Sequence, residues 1–97
     1  MTPTGIEFSD GCLRVKGPLT LTTVGPLLEG ARARLDTPEL RVDLSTVTEA
    51  DSSAVGLLLA WVRDAAVAGR RMRFENLPSN LKSLIKLYDV GEFIPGA

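Results

Sequence analysis

The sequence predicts an α/β fold: a small mixed β-sheet with an N-terminal hairpin and helices packed mainly on one face, in the order β-β-α-β-α-β-α. Three observations predict it. Alternating apolar and polar runs flank Ser9-Asp10-Gly11, and Asp-Gly between such runs is a strong hairpin signal. Strand-like runs then alternate with longer segments of helical spacing, which favours parallel strands joined by right-handed crossovers. A length of 97 residues with 44% hydrophobic content suits one domain, residues 1–97, built on a single core.

The elements follow in order. Ile6-Glu7-Phe8 and Cys12-Leu13-Arg14-Val15-Lys16 alternate as the two hairpin strands, and Gly17-Pro18 is expected to stop the second. Val24, Leu27, Leu28, Ala31 and Leu35 recur at helical spacing and predict a first helix, with Pro26 in its first turn. Asp36-Thr37-Pro38 breaks it, and Leu40 to Leu44 reads as the next strand. A second helix runs from about Ser52 to Ala68, with Gly69 as its stop. Its wide apolar face (Val55, Leu58, Leu59, Val62, Ala65 and Ala66, broadened by Leu57 and Trp61) predicts a largely buried helix. Trp61 is read as core rather than as a partner anchor. Met72, Phe74 and Asn76 alternate with Arg71, Arg73 and Glu75 as a strand. Pro78 opens a third helix carrying Leu81, Leu84, Ile85 and Tyr88, Val90-Gly91 ends it, and Glu92 to Pro95 is expected to add a short last strand.

Composition excludes several classes of function. The formal charge of −1, without a long basic block, argues against nucleic acid as a partner. There is no His, so the commonest general base and metal ligand is missing. The single Cys, Cys12, permits neither an intrachain disulfide nor a cysteine-based zinc site. Asp43, Glu49, Asp51 and Asp64 lack metal-ligand spacing, and no glycine-rich phosphate loop occurs. Ser52 as a nucleophile would need a base; Lys82 and Lys86 fit a solvated helix face better. We therefore expect no catalysis, no cofactor and no metal. Met1 to Glu7 lacks the regions of a signal peptide, and the longest apolar run, Ala54 to Val62, is too short to cross a bilayer. The expected setting is cytoplasmic, with membrane association only through a partner.

The most informative segment is Asp51-Ser52-Ser53, at the junction of strand, loop and long apolar helix. Ser and Asp are preferred N-caps, because their oxygens accept from the orphan N–H groups of a first helical turn. The same helix end tolerates added negative charge, so Ser52 is also a candidate phospho-acceptor. Both readings stay open. Arg70, Arg71 and Arg73 form a small basic cluster, solvated by default, with anionic headgroups as the alternative contact. Leu87 falls off the apolar stripe of its helix and would be exposed in an isolated domain.

Val42-Asp43-Leu44-Ser45, followed by Asp51-Ser52-Ser53-Ala54-Val55-Gly56-Leu57, resembles the signature of STAS domains (sulphate transporter and anti-sigma factor antagonist). The resemblance spans nearly the whole chain. Trp61-Val62-Arg63, Phe74-Glu75-Asn76-Leu77-Pro78 and Leu87-Tyr88-Asp89-Val90 are similar to the MlaB-type branch, the small cytoplasmic subunit of a phospholipid ABC transporter that maintains outer-membrane lipid asymmetry. The resemblance implies a STAS-like fold and a non-catalytic subunit bound to the transporter's ATPase at the inner face of the membrane. It implies a contact made by Asp51, Ser52, Ser53, Val55, Lys86, Leu87 and Tyr88. The alternative it implies is an anti-sigma factor antagonist, with an anti-sigma factor kinase as partner and Ser52 as the phosphorylated residue. Thr20 stands where antagonists carry an acidic residue, and Ala54 stands where a glycine is usual.

Overall fold

The computed structural model describes residues 4–97; Met1 to Pro3, where the reading for a signal peptide begins, lie outside the described residues. Four strands and two α-helices follow one another as β1 (Gly5–Ser9), β2 (Cys12–Leu19), β3 (Glu39–Ala50), α1 (Ser52–Val67), β4 (Arg71–Glu75) and α2 (Ser79–Leu87). The sheet order is β1-β2-β3-β4; the first pair is antiparallel and the other two are parallel. The predicted mixed sheet and N-terminal hairpin are both present.

The hairpin turns on Asp10 and Gly11, which adopt φ of 51° and 73°. Two consecutive left-handed residues match the twist of the flanking strands, which is why Asp-Gly serves here. β2 does not stop at Gly17-Pro18 but continues to Leu19. The backbone of Leu19 faces β3, where its carbonyl accepts from Asp51 N–H at 3.2 Å, so that of Pro18 faces the other way. On that side β1 has already ended at Gly5, and the missing N–H costs no ladder bond. The Pro18 carbonyl accepts instead from the Thr4 and Thr23 hydroxyls at 2.6 and 2.8 Å.

β3 is far longer than the predicted Leu40–Leu44. Between the Arg14–Asp43 and Lys16–Thr46 pairs β3 advances three residues while β2 advances two, and the same happens between Gly17–Val47 and Leu19–Ala50. These irregularities shift the phase, so burial moves from Leu40, Val42 and Leu44 to Val47. The broken alternation made this stretch read as loop.

The predicted first helix is corrected. Residues 20–38 form turns and two 3-10 segments, Gly25–Leu27 and Arg32–Arg34. Gly25 and Gly30 would each weaken an α-helix by about 1 kcal/mol relative to Ala, and Pro26 removes a donor. The apolar spacing still marks what is buried, namely Leu27, Ala31 and Leu35. The predicted last strand is corrected too: Gly91–Phe93 is a 3-10 turn, and the tail contributes one sheet-edge bond, Phe74 N–H to the Pro95 carbonyl at 2.9 Å.

α1 and α2 pack on one face of the sheet. That face supplies Leu13, Val15, Leu19, Leu40, Val42, Leu44, Met72 and Phe74, which join Ala54, Leu57, Leu58, Trp61, Leu81 and Ile85 in one core. Trp61 is wholly buried, and its indole N–H donates to the carbonyls of Leu27 and Leu28 at 3.1 and 3.2 Å. Together with Arg32–Asp64 at 3.2 Å and Arg70 Nε donating to the Leu35 carbonyl at 3.1 Å, it ties the 3-10 segment to α1 and its end. The opposite sheet face carries Glu7, Arg14, Lys16, Arg41, Asp43, Arg73 and Glu75, the outward members of the alternation. Cys12 shares their parity yet is buried, opposite Arg41, whose N–H donates to the Gly11 carbonyl at 3.1 Å.

Candidate functional site

The start of α1 is built from three chain segments. Asp51, in extended conformation, is the N-cap, and its Oδ1 accepts from Ser53 N–H at 2.8 Å. Its Oδ2 accepts from Leu21 N–H at 3.1 Å, which fastens the Thr20–Val24 turn to the helix tip. Asn80, in the first turn of α2, donates from Nδ2 to the Ala50 carbonyl at 3.2 Å. Burial pushes the Asp51 carboxyl up, but hydrogen bonds from the Ser53 and Leu21 N–H groups and from the Ser53 side chain outweigh it and hold it below the usual range.

The cap is therefore Asp51, not Ser52. Ser52 is the first helical residue; it is exposed, and among the described residues its hydroxyl has no hydrogen-bond partner. Nothing in the fold requires that hydroxyl. Ser53 is half-buried and serves the cap. Val55 is corrected: at 4% exposure it belongs to the core and presents nothing to a partner. Its place on the inward stripe of α1 is the physical reason, because residues three and four apart share one helix face.

Lys86, Leu87 and Tyr88 end α2 and are all exposed, Leu87 at 73%. The helix stops through Asp89, whose left-handed φ of 56° lets Val90 N–H reach the Ile85 carbonyl at 3.3 Å. The structure does not merge the two groups of candidate residues. Asn80 sits at the α1 tip, and seven residues of helix place Leu87 about 10 Å further along α2. Beside these candidate residues, two exposed apolar residues escaped the sequence reading. Leu21, 78% exposed, adjoins Ser52 through the Asp51 bond; Phe93, 57% exposed, lies in the turn following Leu87 and Tyr88. Leu21 sits in a threonine-rich turn, and Phe93 was assigned to a strand, so neither showed itself as unpaired apolar surface.

Asp43 has a structural role. Its carboxylate accepts from Ser45 N–H at 2.9 Å, the Ser45 hydroxyl at 3.1 Å and Asn76 Nδ2 at 3.1 Å, with Arg14 at 3.7 Å. It clasps the first β3 irregularity to the end of β4. Burial raises its pKa, and Asn76, Ser45 and Arg14 together lower it further, for a net fall below the ordinary carboxylate value. A carboxyl with a depressed folded pKa contributes stability above its unfolded pKa, about 3.9, and loses it as pH falls through that value and then through the folded one. Asp43→Asn should therefore cost on the order of 1–3 kcal/mol at pH 7 and flatten the acid limb of a stability–pH curve. Urea melts at pH 7 and pH 3 check this; an equal loss at both would remove Asp43 as the acid-sensitive clasp.

Among the described residues, no group of three His, Cys, Asp or Glu side chains could hold a metal ion, and no helix is long and apolar enough to cross a membrane.

A family model described as "Mlab, STAS domain" matches residues 4–95. The chain belongs to the STAS family. This is a family of regulatory, generally non-catalytic domains. Solved structures share the fold of this STAS domain. The unphosphorylated anti-sigma factor antagonist SpoIIAA is 16% identical, with a TM-score of 0.73 over 95% of this chain and 85% of that one. The phosphorylated Bacillus cell fate determinant SpoIIAA is 15% identical, with a TM-score of 0.67 over 95% and 88%. A Thermotoga maritima protein catalogued as a candidate anti-sigma factor antagonist is 11% identical, with a TM-score of 0.74 over 95% and 83%. At such identities these likenesses concern the fold alone. A search of curated proteins finds no match.

Proposed function

We propose that this STAS domain is the non-catalytic subunit that docks on the ATPase of a phospholipid-transport ABC complex and stabilises its assembled form. The observation that carries the reading is the apolar end of α2: Leu87, Tyr88 and Phe93 stand in solvent beside a core that buries Leu81 and Ile85 of the same helix. Aromatic and large apolar groups of this kind anchor interfaces when a partner desolvates them. The match to the Mlab model supports the choice of partner. Binding only the assembled ATPase would stabilise it by mass action. Co-purification with the cognate ATPase tests this. Stable association, with ATPase activity falling when the subunit is withheld, is expected; an ATPase that assembles and works equally well alone would sink the proposal.

A second reading is favoured by Ser52, an exposed and unbonded hydroxyl at a helix tip, on a fold similar to that of SpoIIAA, solved in phosphorylated and unphosphorylated forms. In that reading an anti-sigma factor kinase phosphorylates Ser52 and so releases its partner. The two readings differ in a substitution pair. For the transporter subunit, Ser52→Ala leaves ATPase binding within about threefold of wild type, as expected for a neutral contact costing under 1 kcal/mol. For the switch, Ser52→Asp abolishes partner binding and Ser52→Ala makes it permanent. Titration of both variants against each candidate partner separates them.

A further inference from the structure

β4 is an edge strand, and part of its edge is open. Arg71 N–H faces β3, donating to the Pro38 carbonyl at 3.2 Å, so by alternation Met72 and Phe74 face outward. The tail covers Phe74 through Pro95. Met72 lacks such a bond: its side chain is in the core and the residue is 5% exposed, but among the described residues its outward N–H and carbonyl have no backbone partner. A groove of about 560 Å³ runs there, between the α1 residues Val62, Ala65 and Ala66 and the β4 edge. Its α1 wall lies ten to fourteen residues beyond Ser52, about 15–21 Å along the helix from the tip.

The rim of the groove is charged in one sense. Arg70, Arg71 and Arg73 line it against a single carboxylate, Glu39. Among the described residues none of the three arginines lies in an ion pair. Arg73 sits opposite another cation, Arg41, whose own partner is Glu75 at 3.7 Å. Open backbone groups on an edge recruit a strand, and alternate side chains of that strand set specificity.

We propose that the β4 edge binds an extended acidic segment of a partner protein, which adds a short strand beside Met72. Alternate side chains of that segment are acidic, toward Arg71 and Arg73, and small apolar, toward Val62 and Ala65. A second copy of this chain is a poor occupant, because β4 paired with β4 would set Arg71 and Arg73 against the same arginines. An anionic membrane would use the arginines but not the Met72 backbone.

The probe is a terminally blocked, fluorescein-labelled peptide, Glu-Val-Glu-Val-Glu-Val, read by anisotropy and by amide exchange at Met72. Three further peptides accompany it: the Lys-Val counterpart, and two analogues N-methylated on every Val or on every Glu. The Glu-Val peptide should bind, the Lys-Val peptide should not, and Met72 exchange should slow about tenfold or more. One N-methylated analogue should bind about three- to tenfold more weakly than the other, since only one set of N–H groups faces β4. Arg71→Glu with Arg73→Glu should abolish binding, and Glu39→Gln should tighten it about two- to fivefold, a gain that misfolding cannot mimic. Equal binding by both N-methylated analogues, or binding without Met72 protection, overturns the proposal. So does capture by phosphatidylglycerol vesicles with no peptide binding, or self-association through the edge.

Discussion

Trp61→Ala should destabilise the domain by about 3–5 kcal/mol, the range for deleting a large buried aromatic side chain. That is a large share of the roughly 5–15 kcal/mol that holds a small domain together. Two losses combine. The indole leaves a cavity between α1 and the 3-10 segment, and the carbonyls of Leu27 and Leu28 lose their shared donor. Trp61→Phe separates them: it keeps most of the apolar volume but strands the acceptors, at about 1–3 kcal/mol. Denaturant melts of both variants give the numbers. A loss below about 1 kcal/mol for the alanine variant would mean that the 3-10 segment does not depend on this pin. The effect on partner binding should be small wherever the variant remains folded, because Trp61 is wholly enclosed.

Leu87→Asp should do the reverse. An exposed side chain contributes little to folding, so the unfolding free energy should stay within about 0.5 kcal/mol of wild type. If the end of α2 is the docking anchor, burying a carboxylate there should weaken ATPase binding by at least ~30-fold, equivalent to about 2 kcal/mol or more. Tyr88→Ala and Phe93→Ala should fall in the same direction with smaller losses. Calorimetric titration of the three variants ranks them. Wild-type affinity in Leu87→Asp would move the docking surface away from α2.

The legibility of this fold in its sequence follows its physical origins. The hairpin, α1 and β4 were readable because pattern and local chemistry agree there: Asp10-Gly11 demands a left-handed turn, and Gly69 at φ of 69° caps α1. The segment from Thr20 to Pro38 was misread because 3-10 and α turns bury nearly the same residues. Leu27, Ala31 and Leu35 fit either pattern, and the glycines decide between them. β3 was cut short because its irregularities against β2 break the alternation on which strand reading depends.

The candidate site divides in the same way. Asp51 as cap, and the exposure of Ser52 and Leu87, follow from position on a helix. Val55 was misplaced because closeness to Ser52 in sequence outweighed its inward face. Leu21 was missed because it joins the site through a hydrogen bond thirty residues away in sequence. The open edge at Met72 depends on which strand is outermost, and that is a property of topology that no local window contains.

Cys12 offers a measure of the hairpin's own stability. Its thiol is the only one in the chain and is shut in beside the Gly11–Arg41 bond. An alkylating reagent reaches it only when that corner opens, so the alkylation rate, set against that of a free thiol, counts how often the N-terminal edge lifts away.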